Sequence, residues 1–302
     1  MNETKSKRRN VLLFASALAL IGALTCISIV RFSDAILLWS AHTDMWFLAR
    51  IAIRAGADVD AKDHNEATAL HWAASKNKPM DSIIRFLIAS GGNVDATSTS
   101  GTPLHWAVRR GNLDSVRLLL ASGADPDVDH GGRTPLFDAA GVGDDRLLAE
   151  LLAAGADISI RDREGRTAVW EAAWNDHPRA VDALIAAGAD LDASDDREQT
   201  ILHLAAFNGR EATVRTLIAR GADVGARGPG GATPLHSAAM QTFWDPDSID
   251  ADTRRRFQGI AKALIEAGAE IDATDDQGKT AGAAALDPEM RTFLRRIEAS
   301  PP

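Results

Sequence analysis

Four histidines are the residues of this 302-residue chain whose type and spacing first suggest chemistry: His71, His105, His203 and His236. Imidazole nitrogens bind zinc and act as general bases, so a regular set of histidines raises both possibilities. Each one, however, holds the fourth place of a recurring segment that opens on threonine, as in Thr102-Pro-Leu-His105. Copies of one place on adjacent helices lie about 10 Å apart. Zinc ligands lie ~2 Å from the ion, so we predict no metal site.

Paired carboxylates are the second candidate for chemistry, since two acids can act as general acid and base. Asp195-Asp196 and Asp275-Asp276 are such pairs, but both lie at turns between segments, where aspartate caps local backbone groups. The chain has no Gly-x-Ser-x-Gly motif, no glycine-rich phosphate loop after a strand and no Ser/His/Asp set outside the repeated pattern. The sequence therefore predicts no enzyme activity, no cofactor and no small-molecule substrate.

The recurring segment is a helical hairpin. In the copy that starts at Gly101, Thr102 is an N-cap with Pro103 at the first helical position, and Gly111 ends this helix. A second helix follows, and Gly123 supplies its left-handed C-terminal residue. The opening threonines are Thr68, Thr102, Thr134, Thr167, Thr200, Thr233 and Thr280, with spacings of 34, 32, 33, 33, 33 and 47. Such hairpins bury their apolar faces only by stacking on one another.

From about residue 33 to residue 300, this pattern resembles the ankyrin-repeat family, whose period is 33 residues. The resemblance implies an all-α solenoid of helix-turn-helix units with short turn fingers, in which the histidine bonds within and between repeats. We predict a degenerate N-terminal repeat at 33–62, with helices at 34–40 and 44–54, then ankyrin repeats at 63–274 and a C-terminal capping repeat at 275–300. The last spacing leaves about 14 extra residues, predicted as an insert at about 241–256. Insertions in solenoids map to loops and often mark a binding face.

The N-terminus predicts a membrane anchor. Residues 11–30 carry no charge and are long enough to span a bilayer as one helix. Residues 1–31 have a net charge of +4, mostly in the basic tail at 1–10, so the positive-inside rule keeps the N-terminus cytoplasmic and the array extracytoplasmic. The alternative is a secreted effector released by signal-peptide cleavage after Ala35. Trp39 and Trp46 either lie in the interfacial aromatic belt or pack inside the first repeat.

Charge and cysteine content narrow the function classes. The formal net charge is −9, so the residues after the N-terminal +4 carry −13, and an acidic array is a poor nucleic-acid binder. Cys26 is the single cysteine, which excludes a disulfide framework. The alanine- and arginine-rich composition without tyrosine is compatible with a bacterial inner-membrane protein that faces the periplasm.

Recognition of a protein partner is the remaining function, and the resemblance implies binding by the turn tips and by the outer ends of the first helices. The place seven residues after each opening threonine holds Ser75, Arg109, Gly141, Trp174, Phe207 and Met240. Three consecutive repeats thus present large apolar residues where solvent is expected, and Phe243 and Trp244 of the insert follow directly. We predict that Arg109, Trp174, Phe207, Met240, Phe243 and Trp244 contact the partner. Alternatively, Trp174 and Phe207 pack on neighbouring repeats or under the insert.

The sequence as a whole therefore predicts a membrane-tethered adaptor, scaffold or inhibitor. A secreted effector is the second hypothesis, and an enzyme built on the insert is the third. The basic pair Arg109-Arg110 and the triplet at 254–256 are interpreted as solvated faces.

Overall fold

The computed structural model describes residues 26–76, 80–240 and 250–299, and these ranges are all-α. No strand is formed in them, and isolated β-bridges such as His130 to Arg133 close some of the turns. In chain order the helices of the described ranges are α1 (Cys26–Thr43), α2 (Trp46–Arg54), α3 (Ala69–Ala74), α4 (Asp81–Ala89), α5 (Pro103–Arg109), α6 (Leu113–Ala121), α7 (Pro135–Val142), α8 (Asp145–Ala153), α9 (Ala168–Trp174), α10 (Pro178–Ala186), α11 (Ile201–Phe207), α12 (Glu211–Ala219), α13 (Pro234–Ala239), α14 (Ala251–Glu266), α15 (Ala281–Ala284) and α16 (Pro288–Ala299).

Each repeat is the hairpin that the threonine and glycine signals predict. Thr102 has an extended backbone (φ −84°, ψ 169°), and its hydroxyl accepts from the backbone N–H of His105, which starts α5. Asn112 caps α6 by accepting from the backbone N–H of Ser115. The hairpin then ends at Gly123, whose φ of 88° lies in the left-handed region that favours glycine.

The hairpins stack so that each contacts its sequence neighbours and one continuous core runs through the array. First helices contribute buried leucines and alanines that allow close approach, while second helices contribute leucine, isoleucine and valine. The fully buried leucines of the first helices include Leu70, Leu104, Leu136 and Leu235. Because each repeat buries its apolar face only against neighbours, the stability of the array is roughly a sum over repeats and interfaces.

The first helix of the N-terminal repeat differs from the prediction. The expected helix at 34–40 is the middle of α1, which runs without interruption from Cys26 to Thr43. The reason is that this stretch contains neither glycine nor proline, and the helix ends only where Asp44 adopts a φ of 61°. The last residues of the predicted membrane span and the first helix of the array therefore form one helix.

The insert differs as well, because part of it is helical rather than a loop. The second helices of the preceding repeats have nine residues, as in α12, whereas α14 has sixteen. Its first two turns are residues 251–256, and Asp250 caps them by accepting from the backbone N–H of Thr253 at 2.6 Å. Arg254 lies on these turns and donates to Asp287 at 3.3 Å, so the helix is tied to the C-terminal repeat. Phe243 and Trp244 lie outside the described residues.

In the described ranges, no helix has the length and hydrophobicity needed to cross a bilayer. Residues 11–25 of the predicted span lie outside these ranges.

Candidate functional site

The outer ends of the first helices form the surface where the sequence predicts recognition, and we call it the first-helix face. It consists of the fourth and seventh places after each opening threonine. The fourth places are Trp72, Trp106, Asp138, Glu171, Leu204 and Ser237, and the seventh places are Ser75, Arg109, Gly141, Trp174, Phe207 and Met240. These residues divide the face into three zones of different chemistry.

The N-terminal zone is aromatic and packed. The ring centroids of Trp72 and Trp106 lie 5.2 Å apart at 80°, and His42 covers the other side of Trp72 at 4.0 Å. Trp72 also donates its indole N–H to Asp63 at 3.0 Å. Both indoles are half-buried, so their main contacts are to neighbouring repeats. Trp72 and Trp106 are therefore packing residues in this structure.

The central zone is a chain of charges that crosses three repeats. Arg109 Nε lies 2.6 Å from Asp138 Oδ2, and Arg133 lies 3.8 Å from the other oxygen of Asp138. Arg133 reaches further to Glu171 at 2.8 Å. Burial raises the pKa of the Asp138 carboxyl, although the guanidinium of Arg109 acts in the opposite direction. Arg109 was predicted as a partner contact; here it neutralises a buried acid, and its contact role stays a prediction.

The C-terminal zone is apolar and open. Trp174 is 50% exposed and Met240 is 38% exposed, while Phe207 between them is half-buried. The three residues end α9, α11 and α13 or directly follow them, and these helices pack side by side. The predicted row therefore exists, and large apolar side chains in it face solvent in the described part of the chain. Its role in partner contact stays a prediction.

A cavity of about 370 Å³ lies beside this row, between the first helices and the turn fingers of two repeats. Its lining consists of Arg163, Glu164, Arg166, Trp170, Trp174, Asp195, Asp196, Arg197, Gln199 and Leu204. Trp170 is 4% exposed, and its buried Nε1 has no hydrogen-bond partner among the described residues. A buried donor without a hydrogen-bond partner costs about 1–3 kcal/mol of folding free energy.

Trp170 is not among the partner-contact residues that the sequence predicts. The signal was present, because Trp170 takes the place that histidine holds in four other repeats. Trp170 therefore lacks the hydrogen bonds that histidine makes in this place.

The four periodic histidines join one repeat to the next. In each, Nδ1 accepts from the backbone N–H of the opening threonine, so the proton of the neutral ring is on Nε2. The Nε2–H of His71 donates to the carbonyl of Gly101 at 3.0 Å, and that of His236 donates to Lys279 at 2.9 Å. Burial lowers the pKa of His71 and of His105 to about 4. Both ring nitrogens are thus occupied, which explains why these histidines are structural groups rather than ligands.

The repeated acids cap backbone groups at the turns, as the sequence predicts. Asp162 accepts from the backbone N–H groups of Glu164 and Arg166 within its own finger. A second set bridges repeats, as when Asp127 accepts from the backbone N–H of Asp157 at 2.9 Å. In the described residues, no three His, Cys, Asp or Glu side chains are grouped as metal ligands.

The stack of helical hairpins defines a helical-repeat protein. The sequence profile of ankyrin repeats matches three times, at residues 37–130, 122–195 and 170–275, and so covers most of the chain. The chain belongs to the ankyrin-repeat family. The crystal structure of the ankyrin-repeat domain of Bcl-3, a member of the IkappaB family, superposes with a TM-score of 0.63 and 27% identity, covering 76% of this chain and 98% of that domain.

Curated relatives match over a short stretch. Palmitoyltransferase Hip14 of Drosophila melanogaster is 42% identical over 69 residues, which is 22% of this chain and 10% of that protein. Palmitoyltransferase ZDHHC13 of Homo sapiens is 41% identical over 66 residues, or 21% of this chain and 10% of its own length. The chain thus spans about a tenth of these relatives, and their activity does not carry over to it.

Proposed function

We propose that this chain is a membrane-tethered ankyrin module that recognises a protein partner and has no catalytic activity of its own. Ankyrin repeats are a protein-interaction fold, which supports the general statement. The finer statement rests on the C-terminal zone of the first-helix face, where Trp174 and Met240 are exposed on either side of the half-buried Phe207 of the repeat between them. An exposed apolar row rimmed by charges is the usual composition of a partner site, and tryptophan is a frequent energetic anchor.

The cavity indicates what kind of contact the partner makes. An apolar side chain of the partner packs against Trp174 and Leu204, which line the cavity. The charged finger residues Arg163 and Arg197 then form the polar rim. The surface is preformed by rigid helices, so little conformational entropy is lost on binding.

The tether is residues 11–30, with the N-terminus cytoplasmic and the array on the far side of the membrane, facing the periplasm if the protein is bacterial. The charge bias of the tail supports this orientation. The alternative, cleavage after Ala35, fits the fold less well because α1 continues through this site. Ser33 is 3% exposed, and Asp34 accepts from the backbone N–H of Asp58 at 2.8 Å. Cleavage would remove about half of the helix on which the first repeat packs.

Labelling with a membrane-impermeant maleimide tests the topology. Gln277→Cys in a Cys26→Ala background places one thiol at an exposed finger tip. We expect labelling in intact cells, with the protein retained in the membrane fraction. Labelling only after lysis would place the array in the cytosol, and recovery of a soluble protein that begins at Ile36 would establish the secreted effector instead.

Capture of the partner from detergent-solubilised membranes tests recognition. We expect a stoichiometric complex with the wild type and its loss with Trp174→Ala/Phe207→Ala. The matched control is Arg215→Ala/Lys262→Ala, which changes exposed positions on the second helices of the same region, with side chains 57% and 67% exposed. Equal capture by the two double variants would refute this assignment of the surface.

A further inference from the structure

The second helix of the first repeat, α2, carries a stripe of apolar residues that the array does not cover. Leu48, Ile51 and Ala55 follow the spacing i, i+3 and i+7, which places them on one side of the helix. Ile51 is 56% exposed, and Phe47 beside it is 54% exposed. Leu48 is half-buried and Ala55 is exposed. The far side of α2, which includes Ala49, is buried in the array. We call residues 47, 48, 51 and 55 the end stripe.

The equivalent places in the other repeats show what normally covers such a stripe. Leu48 lies eight residues before its closing glycine, Gly56, and the residues in that place of the following repeats are at most 3% exposed. These residues are Ile83, Ser115, Leu147, Ala180, Thr213 and Ile260. Ile51 lies five residues before the glycine, and Glu150 in that place accepts from Arg117 of the preceding repeat at 2.7 Å. In the described ranges no repeat precedes the first one, so the end stripe forms the open end of the stack.

The charged residues of the first repeat are directed away from the end stripe. The guanidinium of Arg50 lies over the ring of Phe86 in the following repeat, 5.1 Å from its centroid. Asp44 pairs with Lys76, also of the following repeat, at 3.1 Å. The open end is therefore apolar, whereas terminal repeats of a solenoid present a polar outer face when they meet water. We infer that another surface covers it.

The proposed anchor fixes how two copies of the chain meet. Helix α1 runs without interruption from Cys26, inside the predicted span, to Thr43, and α2 packs antiparallel along it. Both helices therefore stand along the membrane normal. Copies that are inserted by the same anchor share one orientation, so a twofold axis between them is parallel to the normal. Such an axis relates two parallel α2 helices, and each end stripe then faces the identical stripe of the other copy.

The spacing of the end stripe suits a pair of parallel helices. The intervals of three and four residues from Leu48 to Ile51 and from Ile51 to Ala55 are those of the a and d positions of a coiled-coil seam, and alanine allows close approach. Lipid does not cover the stripe, because the stripe runs along the normal. With residues 11–30 in the membrane and residues 1–10 on its far side, these segments do not reach it either.

We propose that a second copy of this chain covers the end stripe, so that two arrays meet at their first repeats around a twofold axis along the membrane normal. One nine-residue helix per copy buries less than the ~800 Å² per partner of a typical stable interface. Confinement of both copies to one membrane raises their effective concentration and offsets this deficit. The dimer presents two first-helix faces, so it binds its partner bivalently. The inference rests on the proposed anchor at residues 11–30.

Cysteine cross-linking of the full-length protein in membranes tests the inference. Ala55→Cys in a Cys26→Ala background places one thiol in the end stripe and keeps its large side chains. The control is Ala154→Cys, an exposed residue in the same place of the fourth repeat. We expect oxidation with copper phenanthroline to give a species of two chains in several-fold higher yield at 55 than at 154.

A second pair of variants tests whether the apolar side chains hold the copies together. Adding Phe47→Glu/Ile51→Glu to Ala55→Cys is expected to abolish the two-chain species, because four carboxylates then meet at the axis. The matched control adds Ala212→Glu/Thr216→Glu, the same two places in the sixth repeat, and should leave the yield unchanged.

The outcomes separate this inference from the proposed function on which it rests. Carbonate extraction first shows whether the protein is integral, and release into the soluble fraction would overturn the anchor and the parallel dimer together. In an integral protein, equal yields at 55 and 154, or a yield at 55 that the two glutamates do not lower, would overturn the dimer alone. A cross-linked species with a mass other than two chains would assign the end stripe to a different protein and would also overturn the dimer.

Discussion

Arg109 and Asp138 belong to adjacent repeats, and their side chains lie 2.6 Å apart, from Nε to Oδ2. The carboxylate side chain is 6% exposed and the guanidinium side chain is 37% exposed, so the arginine supplies the charge that a nearly buried acid requires. The same guanidinium donates to the carbonyl of Ser100 at 2.8 Å. Arg109, which the sequence predicts as a partner contact, thus holds two adjacent repeats together.

Arg109→Ala is expected to lower the free energy of unfolding by about 2 kcal/mol, because it removes the nearer of the two guanidinium groups beside the buried carboxylate of Asp138 and leaves only Arg133 at 3.8 Å. Urea denaturation measures the effect. The matched control is Arg117→Ala, whose partner Glu150 is more exposed (31%). That control should lose at most about 1 kcal/mol, as exposed pairs do. Equal losses in the two variants would show that Asp138 does not depend on Arg109.

Two threonines with the same role in different repeats should respond differently to removal of the hydroxyl. Thr102 Oγ1 lies 2.9 Å from Nδ1 of His105, whereas Thr134 precedes Phe137 and its buried Oγ1 has no partner in the described part of the chain. Thr102→Val should therefore destabilise the protein by about 1 kcal/mol or more, since it breaks a buried bond and a cap. Thr134→Val should be neutral or stabilising. The opposite order in urea denaturation would contradict the pairing of these threonines with histidine.

Stability should fall as the pH is lowered from about 7 to 5. The pKa of His71 and of His105 is about 4 in the folded protein and near 6.5 in the unfolded chain, so the unfolded chain takes up protons first. Each of these two histidines then costs stability on the order of 2 kcal/mol at pH 5, and the loss continues until the pH passes the folded-state pKa. Carboxylates with a lowered pKa, such as Asp162, stay ionised in this window. A denaturation midpoint that is constant from pH 7 to pH 5 would contradict the assignment.

Two tryptophans one turn apart on α9 should separate packing from recognition. Trp170 is 4% exposed and Trp174 is 50% exposed. Trp170→Ala is expected to cost about 3–5 kcal/mol of stability, as large buried aromatics do. Trp174→Ala should change the stability by less than about 1 kcal/mol, since an exposed ring leaves no cavity. A fall in melting temperature as large for Trp174→Ala as for Trp170→Ala would show that Trp174 is an ordinary core residue.

The repeat architecture could be predicted from the sequence because each hairpin carries its own signals for helix starts and ends. Threonine starts the first helix and glycine ends the second, so the period of about 33 residues predicted the stacked array, and the family match confirms it. The helices α1 and α14 were longer than predicted. The length of α1 follows from the absence of glycine and proline in it, whereas α14 starts early at the Asp250 cap and continues through Gly259. The repeat period predicts neither extension.

Side-chain contacts between repeats could not be predicted from the sequence in the same way. The pairing of Arg109 with Asp138 depends on which side chains in adjacent hairpins face each other, and the period does not give this register. The cavity at Trp170 also involves fingers of two repeats. Trp170, however, lies where the histidine of the repeated segment is replaced, so such a replacement is a signal that the sequence does contain. The membrane anchor stays a prediction from charge and hydrophobicity.

Photo-crosslinking in intact membranes tests the central claim most directly. A benzophenone amino acid is placed at position 174 or 207 on the first-helix face, and at position 215 on a second helix as the control, where the side chain is 57% exposed. The account predicts one protein adduct of the same mass from 174 and 207, and none from 215. Adducts of equal yield from all three positions, or none from 174 and 207, would contradict recognition of a partner by the C-terminal zone of the first-helix face.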